Sequence, residues 1–97
     1  MPRKYFRITE VVEICRVDRD FIARLERERI VQPIIRSRLK VYPRDQVERV
    51  RVARLLMKEM SVNLEGAEVA LNMREQMIAM QRQFNEVLRR LARQLKR

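Results

Sequence analysis

Residues 63–97 read NLEGAEVALNMREQMIAMQRQFNEVLRRLARQLKR, a stretch that has no proline and a single glycine, Gly66. Apolar residues recur in it at alternating spacings of three and four, which is the pattern of a coiled-coil seam. They are Ala70, Met73, Met77, Met80, Phe84, Val87 and Leu91. A helix of this length extends about 50 Å, at about 1.5 Å per residue. The preceding residues are too few to cover such a helix, so its far half predicts contact with a second chain.

Two short helices are predicted ahead of this long one. Thr9 is the predicted N-cap of the first, which should end near Arg16, and Asp18 is the predicted N-cap of the second. The apolar residues at helical spacing are Val11, Val12 and Cys15 in the first helix and Phe21, Ile22 and Leu25 in the second. Two short helices separated by about three residues predict a helix-turn-helix.

Residues 30–42 change character and predict a small β-hairpin. They are rich in aliphatic and β-branched residues and are interrupted at Pro33 and at the polar triplet 36–38. Pro33 restricts the first strand to an edge position, because proline cannot donate a hydrogen bond to a neighbouring strand. The hairpin has the size and place of a wing, with a basic tip.

A third helix is predicted to start at Pro43, where the missing N–H does no harm. We expect its apolar face to consist of Val47, Val50, Ala53, Leu56, Met57 and Met60. We expect its charged face to consist of Arg44, Arg49, Arg51, Arg54 and Lys58. Ser61-Val62 should end this helix, and Asn63 can cap the long one. The chain therefore divides into two expected units, residues 1–62 and 63–97.

The composition restricts the chemistry. The chain holds 23 Lys and Arg against 13 Asp and Glu, a net charge of +10 that favours a polyanionic partner such as nucleic acid. It has no histidine and one cysteine, so neither a Ser-His-Asp or Cys-His nucleophile nor a Cys/His zinc site can be assembled. We expect no enzyme activity, no cofactor and no metal. Cys15 should be buried, and a single cysteine, which allows no internal disulfide, suits a reducing cytoplasm. No apolar run is long enough to predict a membrane span.

Several short motifs resemble the MerR-like winged helix-turn-helix family. Residues 27–33, RERIVQP, are similar to the family's exit from its second helix, and Val41-Tyr42-Pro43 with Asp45 is similar to the start of its third. Residues 62–67, VNLEGA, look like a segment of the branch that holds heat-shock repressors and chaperone modulators of the CbpM type. The resemblance implies a mainly α fold with a small β-hairpin wing and a long C-terminal coiled-coil helix.

The resemblance leaves two functions open. The first is a DNA-binding transcriptional regulator acting as a dimer, and the second is an adaptor that binds the J-domain of a DnaJ-like co-chaperone. Ala23 and Arg24 stand where MerR-like DNA binders usually carry an Arg-Tyr pair, and Arg29 stands where they carry a glycine. The wing glycine is absent too. These departures are expected of the modulators, whereas the net charge favours double-stranded DNA.

The candidate DNA-binding residues are all basic and belong to the second helix and the wing. They are Arg19, Arg24, Arg27, Arg36, Arg38 and Lys40. The helix arginines would contact bases or phosphates in the major groove, and the wing would contact the backbone. In the plainer alternative, the helix arginines pair with Glu26 and Glu28 and only solvate the surface. The wing residues have no acidic neighbour in the sequence.

The partner surfaces are predicted on the long helix. The expected dimerisation residues are Met73, Met77, Met80, Phe84, Val87, Leu91 and Leu95. The MerR-like resemblance implies an antiparallel homodimer, and the basic end, residues 89–97, would repel itself in a parallel pair. For the adaptor alternative, Glu65, Glu68 and Glu75 could form an acidic patch facing a basic J-domain helix.

Overall fold

A computed structural model describes residues 3–96, so the expected unit bounds at residues 1 and 97 and the terminal basic residue Arg97 lie outside the described residues. The elements in chain order are β1 Tyr5–Phe6, α1 Ile8–Cys15, α2 Arg19–Arg27, β2 Ile34–Arg36, β3 Leu39–Pro43, α3 Arg44–Arg54, a π-helical turn Leu55–Glu59 and α4 Leu64–Leu95. This order confirms the predicted fold class, a mainly α winged helix-turn-helix with a hairpin wing and a long C-terminal helix.

Helix α1 begins two residues earlier than predicted. Its N-cap is Arg7 and not Thr9, which lies inside the helix. The Glu10 carboxylate accepts a hydrogen bond from the Arg7 backbone N–H at 3.0 Å. A glutamate at the third helical position can satisfy the N-cap in this way without a serine or threonine before it. The prediction of Thr9 as the cap was therefore wrong.

Helix α2 starts and ends with well-formed caps. The Asp18 carboxylate accepts a hydrogen bond from the Phe21 N–H at 2.8 Å, as predicted. At the other end, Arg29 takes a positive φ of 59°. The Ile30 N–H then donates to the Leu25 carbonyl at 2.9 Å, and the Arg29 N–H donates to the Glu26 backbone carbonyl at 3.0 Å, which is the Schellman pattern. Arg29 thus holds the left-handed conformation that glycine adopts most easily.

The wing is an antiparallel hairpin whose tip is a two-residue turn. Arg36 pairs with Leu39, and Ser37 and Arg38 between them have φ values of 50° and 65°. Two consecutive positive φ values define a type I′ turn, which usually carries Asn-Gly. Strand β3 also pairs with β1, so the sheet order is β1-β3-β2. The edge position predicted for the first wing strand is confirmed, and strand β1 adds a third strand to the predicted hairpin.

The core collects the apolar faces of all the helices. It comprises Val11, Cys15, Phe21, Ile22, Leu25, Ile30, Val31, Tyr42, Val47, Val50, Ala53 and Leu71. Cys15 is 3% exposed, which confirms its prediction as a buried hydrophobe. Leu71 comes from α4, so the first turns of the long helix pack on the winged-helix elements.

Two expectations for the third helix were wrong. Arg49, expected on the charged face, is buried because it faces α4, where it pairs with Glu75, and its Nε–H donates to the Ile30 carbonyl at 2.5 Å. Met60, expected on the apolar face, is 61% exposed. The helix passes into the π-helical turn after Arg54, and Met60 follows that turn as its C-cap. Ser61, with φ 57°, ends the segment as predicted.

Asn63 caps α4 as predicted, since its side-chain oxygen accepts a hydrogen bond from the Gly66 N–H at 2.8 Å. Only Ala67 and Leu71 of this 32-residue helix are buried. Beyond residue 78, Glu86 alone is partly covered among the described residues, and every other residue to position 96 is exposed. The far half of the helix therefore has no support from its own chain.

Candidate nucleic-acid interface

The wing and α2 are joined through Glu26. Its carboxylate accepts a hydrogen bond from the Tyr42 hydroxyl at 2.6 Å and pairs with the Lys40 Nζ at 2.6 Å. Burial, followed by the hydrogen bond to Glu26, raises the pKa of Tyr42 well above its usual value. Because Lys40 and Tyr42 belong to β3, these contacts fix one strand of the wing beside the C-terminal half of α2.

The α2 arginines, Arg19, Arg24 and Arg27, project from this helix into solvent. Among residues 3–96, no carboxylate lies within 4.0 Å of any of the three guanidinium groups. Glu26, the partner expected in the plainer alternative, is occupied by the wing. The guanidinium donors of the α2 arginines are therefore open to a ligand, and each has five N–H groups in a planar fork.

The three wing candidates have different surroundings. Arg38 is exposed at the tip of the turn. Arg36 stacks over the Tyr5 ring, with 4.1 Å between its guanidinium carbon and the ring centroid. Lys40 has an acidic partner in Glu26, contrary to the expectation from its sequence neighbours. Arg36 and Arg38 thus have no carboxylate partner within residues 3–96, and the charge of Lys40 is partly neutralised.

A second group of basic residues, which the sequence did not single out, lies beside the sheet. Arg3 and Arg44 both approach the Phe6 ring, at 4.9 and 5.9 Å from its centroid. The Arg44 Nε–H donates to the Arg3 carbonyl at 3.0 Å. Arg3 also pairs with Glu10, and that hydrogen bond, with the one from Arg7, lowers the pKa of Glu10 to about 2. The sequence signal for this group was the pair of aromatic residues set between basic residues over positions 3–7.

A basic cleft lies at the other end of α2. It has a volume of about 320 Å³ and is lined by Arg16, Val17, Asp18, Phe21, Arg54 and Lys58. The Lys58 ammonium lies 5.4 Å from the centroid of the Phe21 ring, and the Arg54 Nε–H donates to the Arg16 carbonyl at 3.1 Å. Basic side chains therefore flank α2 at both ends, the wing at one and this cleft at the other.

The predicted dimerisation residues form an exposed apolar row along α4. Their exposed fractions are Met73 57%, Met77 68%, Met80 68%, Phe84 63%, Val87 53%, Leu91 49% and Leu95 84%. The first of them line an open groove of about 890 Å³ that continues past Ala70 and Ile78. Large apolar side chains in one contiguous row on a soluble surface are typical of a protein interface.

The comparison with protein families agrees with this geometry. A model of the MerR helix-turn-helix regulatory proteins matches residues 6–90, which includes the helix-turn-helix, the wing and most of α4. This chain belongs to the MerR family of helix-turn-helix regulatory proteins. The match confirms the family resemblance drawn from the motifs at residues 27–33 and 41–47. No curated protein sequence and no solved structure matches the chain.

Residues 3–96 show neither a metal-binding cluster nor a membrane-spanning helix. No group of three His, Cys, Asp or Glu residues gathers there in a way that could hold a metal ion. None of the helices in that range combines the length and the apolar character needed to cross a membrane.

Proposed function

We propose that this MerR-family chain is a DNA-binding transcriptional regulator that acts as a homodimer. The observation that carries the proposal is the set of α2 arginines, which are exposed and have no carboxylate partner among residues 3–96. In a helix-turn-helix protein the second helix enters the major groove. A helix that presents three unneutralised guanidinium groups suits that place, because guanidinium binds both phosphate and the O6 and N7 atoms of guanine.

The wing extends the same surface toward the DNA backbone. Its attachment to α2 through Glu26 holds Arg36 and Arg38 at a constant distance from the helix. We assign phosphate contacts to these two residues, because backbone contacts position a protein without reading the sequence. Lys40 remains a candidate, with a weaker expected contribution because Glu26 already neutralises part of its charge.

The homodimer rests on the exposed apolar row of α4. A soluble monomer would leave seven large apolar side chains in water, and burying each stabilises a complex by about 1.5–3 kcal/mol before the costs of association. We assign an antiparallel orientation, since a parallel pair would place the basic ends, with Arg89, Arg90 and Arg93, side by side. The double variant Phe84→Asp/Leu91→Asp should be monomeric by light scattering, and an intact dimer would contradict this part.

DNA binding is tested by retention of genomic fragments on the immobilised protein at about 50 mM salt, followed by a salt titration. Binding should weaken steeply with salt, because each neutralised phosphate contributes close to one unit of slope on the log–log plot. Failure to retain any fragment at the low salt concentration would refute the DNA proposal.

The J-domain adaptor is a second proposal, and it rests on one observation. Arg29 has a left-handed backbone conformation at the position where MerR-like DNA binders usually carry a glycine. Ala23 and Arg24 stand where those proteins usually carry an Arg-Tyr pair. The acidic patch that it requires is reduced, because Glu75 is engaged by Arg49, which leaves Glu65 and Glu68. Calorimetric titration with a J-domain from the same cell tests it. Absence of both heat and co-elution would remove the adaptor proposal.

A further inference from the structure

Six of the exposed apolar residues on α4 have a spacing that is the same in both directions. Met73, Met77, Met80, Phe84, Val87 and Leu91 follow one another at intervals of 4, 3, 4, 3 and 4 residues. Each of the six is exposed, from 49% to 68%. The midpoint of each symmetric pair (73 with 91, 77 with 87, and 80 with 84) is position 82. A sequence that reads alike in both directions suits a partner that runs in the opposite direction.

We infer that a second copy of this chain docks on α4 in one antiparallel register, with the two-fold axis passing at Arg82. The inference rests on the homodimer of the proposed function and adds the register. Three contacts define it, each of which occurs twice: Met80 on Phe84 of the second copy, Met77 on its Val87, and Met73 on its Leu91. Every one of the six exposed seam residues then meets an apolar partner.

The heptad positions agree with these contacts. Met77, Phe84 and Leu91 recur every seven residues in one row of the seam, and Met73, Met80 and Val87 recur in the other. With a two-fold axis perpendicular to the helices, the row of Met77, Phe84 and Leu91 in one protomer packs against the row of Met73, Met80 and Val87 in its partner. Each of the three contacts joins one residue from each row, so the side chains can interdigitate as knobs into holes.

The residues beside the axis are also suited to meeting their own copies. Gln81 and Gln83 flank the seam there, and each would face the same residue of the second copy. A primary amide both donates and accepts hydrogen bonds, so two glutamines can pair, whereas two equal charges would repel. Arg82 lies between them on the outer side of the helix, away from the seam, so the axis brings no cations together.

Sliding the partner by one heptad loses apolar contacts in either direction. A slip one way places Leu91 opposite Gly66, which has no side chain to bury. A slip the other way places Met77 opposite the polar Gln94. The register centred at Arg82 is the one that covers all six residues, and it therefore has the largest apolar contact among the three.

This register also sets the separation of the two winged-helix parts. Leu71 is the buried residue of α4 in the core, and the two copies of Leu71 would lie about 33 Å apart along the helix axis, at about 1.5 Å per residue. Half-sites on consecutive turns of B-DNA are about 34–36 Å apart. The separation of the two copies of Leu71 along α4 is therefore close to one turn of B-DNA.

Cysteine crosslinking tests the register without DNA. In a Cys15→Ala background, Met77→Cys/Val87→Cys should give a covalent dimer on mild oxidation. Each single variant should stay uncrosslinked, since equivalent residues there lie about 15 Å apart along the axis, beyond the reach of a disulfide. Two matched controls, Ala70→Cys/Val87→Cys and Met77→Cys/Gln94→Cys, represent the two heptad slips and should not crosslink.

Crosslinking of either control, or of a single variant, would overturn the register, and crosslinked single variants would indicate a parallel pair. Spin labels on the outer positions keep the seam intact in case the seam variants do not fold. Labels at Arg82→Cys should be closer together than labels at Arg89→Cys, whose axial separation is about 21 Å. Equal distances at the two positions would overturn the proposal. Absence of any dipolar coupling would show a monomer and would refute the homodimer itself. The DNA-binding part of the proposed function is tested independently, by retention of genomic fragments.

Discussion

Arg49 and Arg24 belong to the same winged-helix part of the chain, yet their surroundings are opposite. Arg49 is 9% exposed, donates to the Ile30 carbonyl and pairs with Glu75 of α4. Arg24 is exposed, and no carboxylate among residues 3–96 lies within salt-bridge distance of it. An arginine whose donors are satisfied inside the protein supports folding. An arginine whose donors face solvent adds little to folding and is free to bind an anion.

The same division holds for larger groups of residues. The α2 arginines and the wing-tip residue Arg38 are exposed and lack carboxylate partners among residues 3–96, whereas Arg51 and Arg74 both pair with Glu48. Net charge alone cannot separate these two groups, since all of them contribute equally to the +10 of the chain. We therefore expect substitutions of the arginines without carboxylate partners to alter DNA binding. We expect substitutions of the paired arginines to alter stability or to have no effect on either property.

The largest expected effect is on stability. Arg49→Met should lower the free energy of unfolding by about 2 kcal/mol, because it leaves the buried Ile30 carbonyl without its donor. Denaturant unfolding at fixed protein concentration measures this. The matched variant Arg51→Met removes an exposed arginine paired to Glu48 and should change the free energy by less than about 0.5 kcal/mol. Equal losses of unfolding free energy in the two variants would contradict the distinction between buried and exposed arginines.

The next effect is on binding. Arg24→Gln should weaken DNA binding about tenfold, a loss of about 1.4 kcal/mol, with the unfolding midpoint unchanged. The control Arg51→Gln makes the same change in net charge at a residue that already has a carboxylate partner. Fluorescence anisotropy at one salt concentration compares the two. Equal weakening would mean that only net charge matters.

A smaller effect separates stability from binding at the wing tip. Ser37 and Arg38 hold the two positive φ values of the turn, at a cost of about 1 kcal/mol each relative to glycine. Ser37→Asn with Arg38→Gly should therefore stabilise the protein by about 1 kcal/mol and weaken DNA binding, because the tip loses its guanidinium. Ser37→Asn alone should keep the affinity. Undiminished affinity of the double variant would remove Arg38 from the DNA-binding residues.

The smallest effect is a pH dependence at the exposed pair of Arg3 and Glu10. The hydrogen bond from Arg3, then that from Arg7, lowers the pKa of Glu10 from 4.5 to about 2 in the folded protein. The stabilisation is therefore present above pH 4.5 and is lost as the pH falls toward about 2. Glu10→Gln should make the acid limb of the stability curve shallower. An unchanged acid limb would show that the pair contributes nothing.

Local signals in the sequence were sufficient for most of the fold. Asp18 and Asn63 cap the helices predicted for them, and Pro33 restricts its strand to the edge of the sheet. These features depend on residues a few positions apart. The family motifs then supplied the arrangement of the elements, and the family match over residues 6–90 confirms it.

What the sequence did not predict depends on contacts between distant residues. Arg49 has the pattern of a surface arginine, and only the packing of α4 on α3 turns its position into a buried one. Strand β1 has two residues and exists because it pairs with β3. Lys40 seemed free of acidic neighbours until the fold brought Glu26 beside it. The candidate α2 arginines could be named from the sequence, but their lack of partners could not.

The proposed function depends above all on contact between the α2 arginines and DNA. The most direct test is the dependence of the DNA association constant on salt for Arg19→Gln/Arg24→Gln/Arg27→Gln. A control with the same change in charge is Arg51→Gln/Arg89→Gln/Arg93→Gln, whose arginines pair with Glu48 or Glu86. We predict that the α2 variant binds more weakly and that its log–log slope is smaller by up to about five, because each of the two protomers loses three guanidinium groups, with the control near wild type. Equal slopes and affinities in the two variants would contradict it.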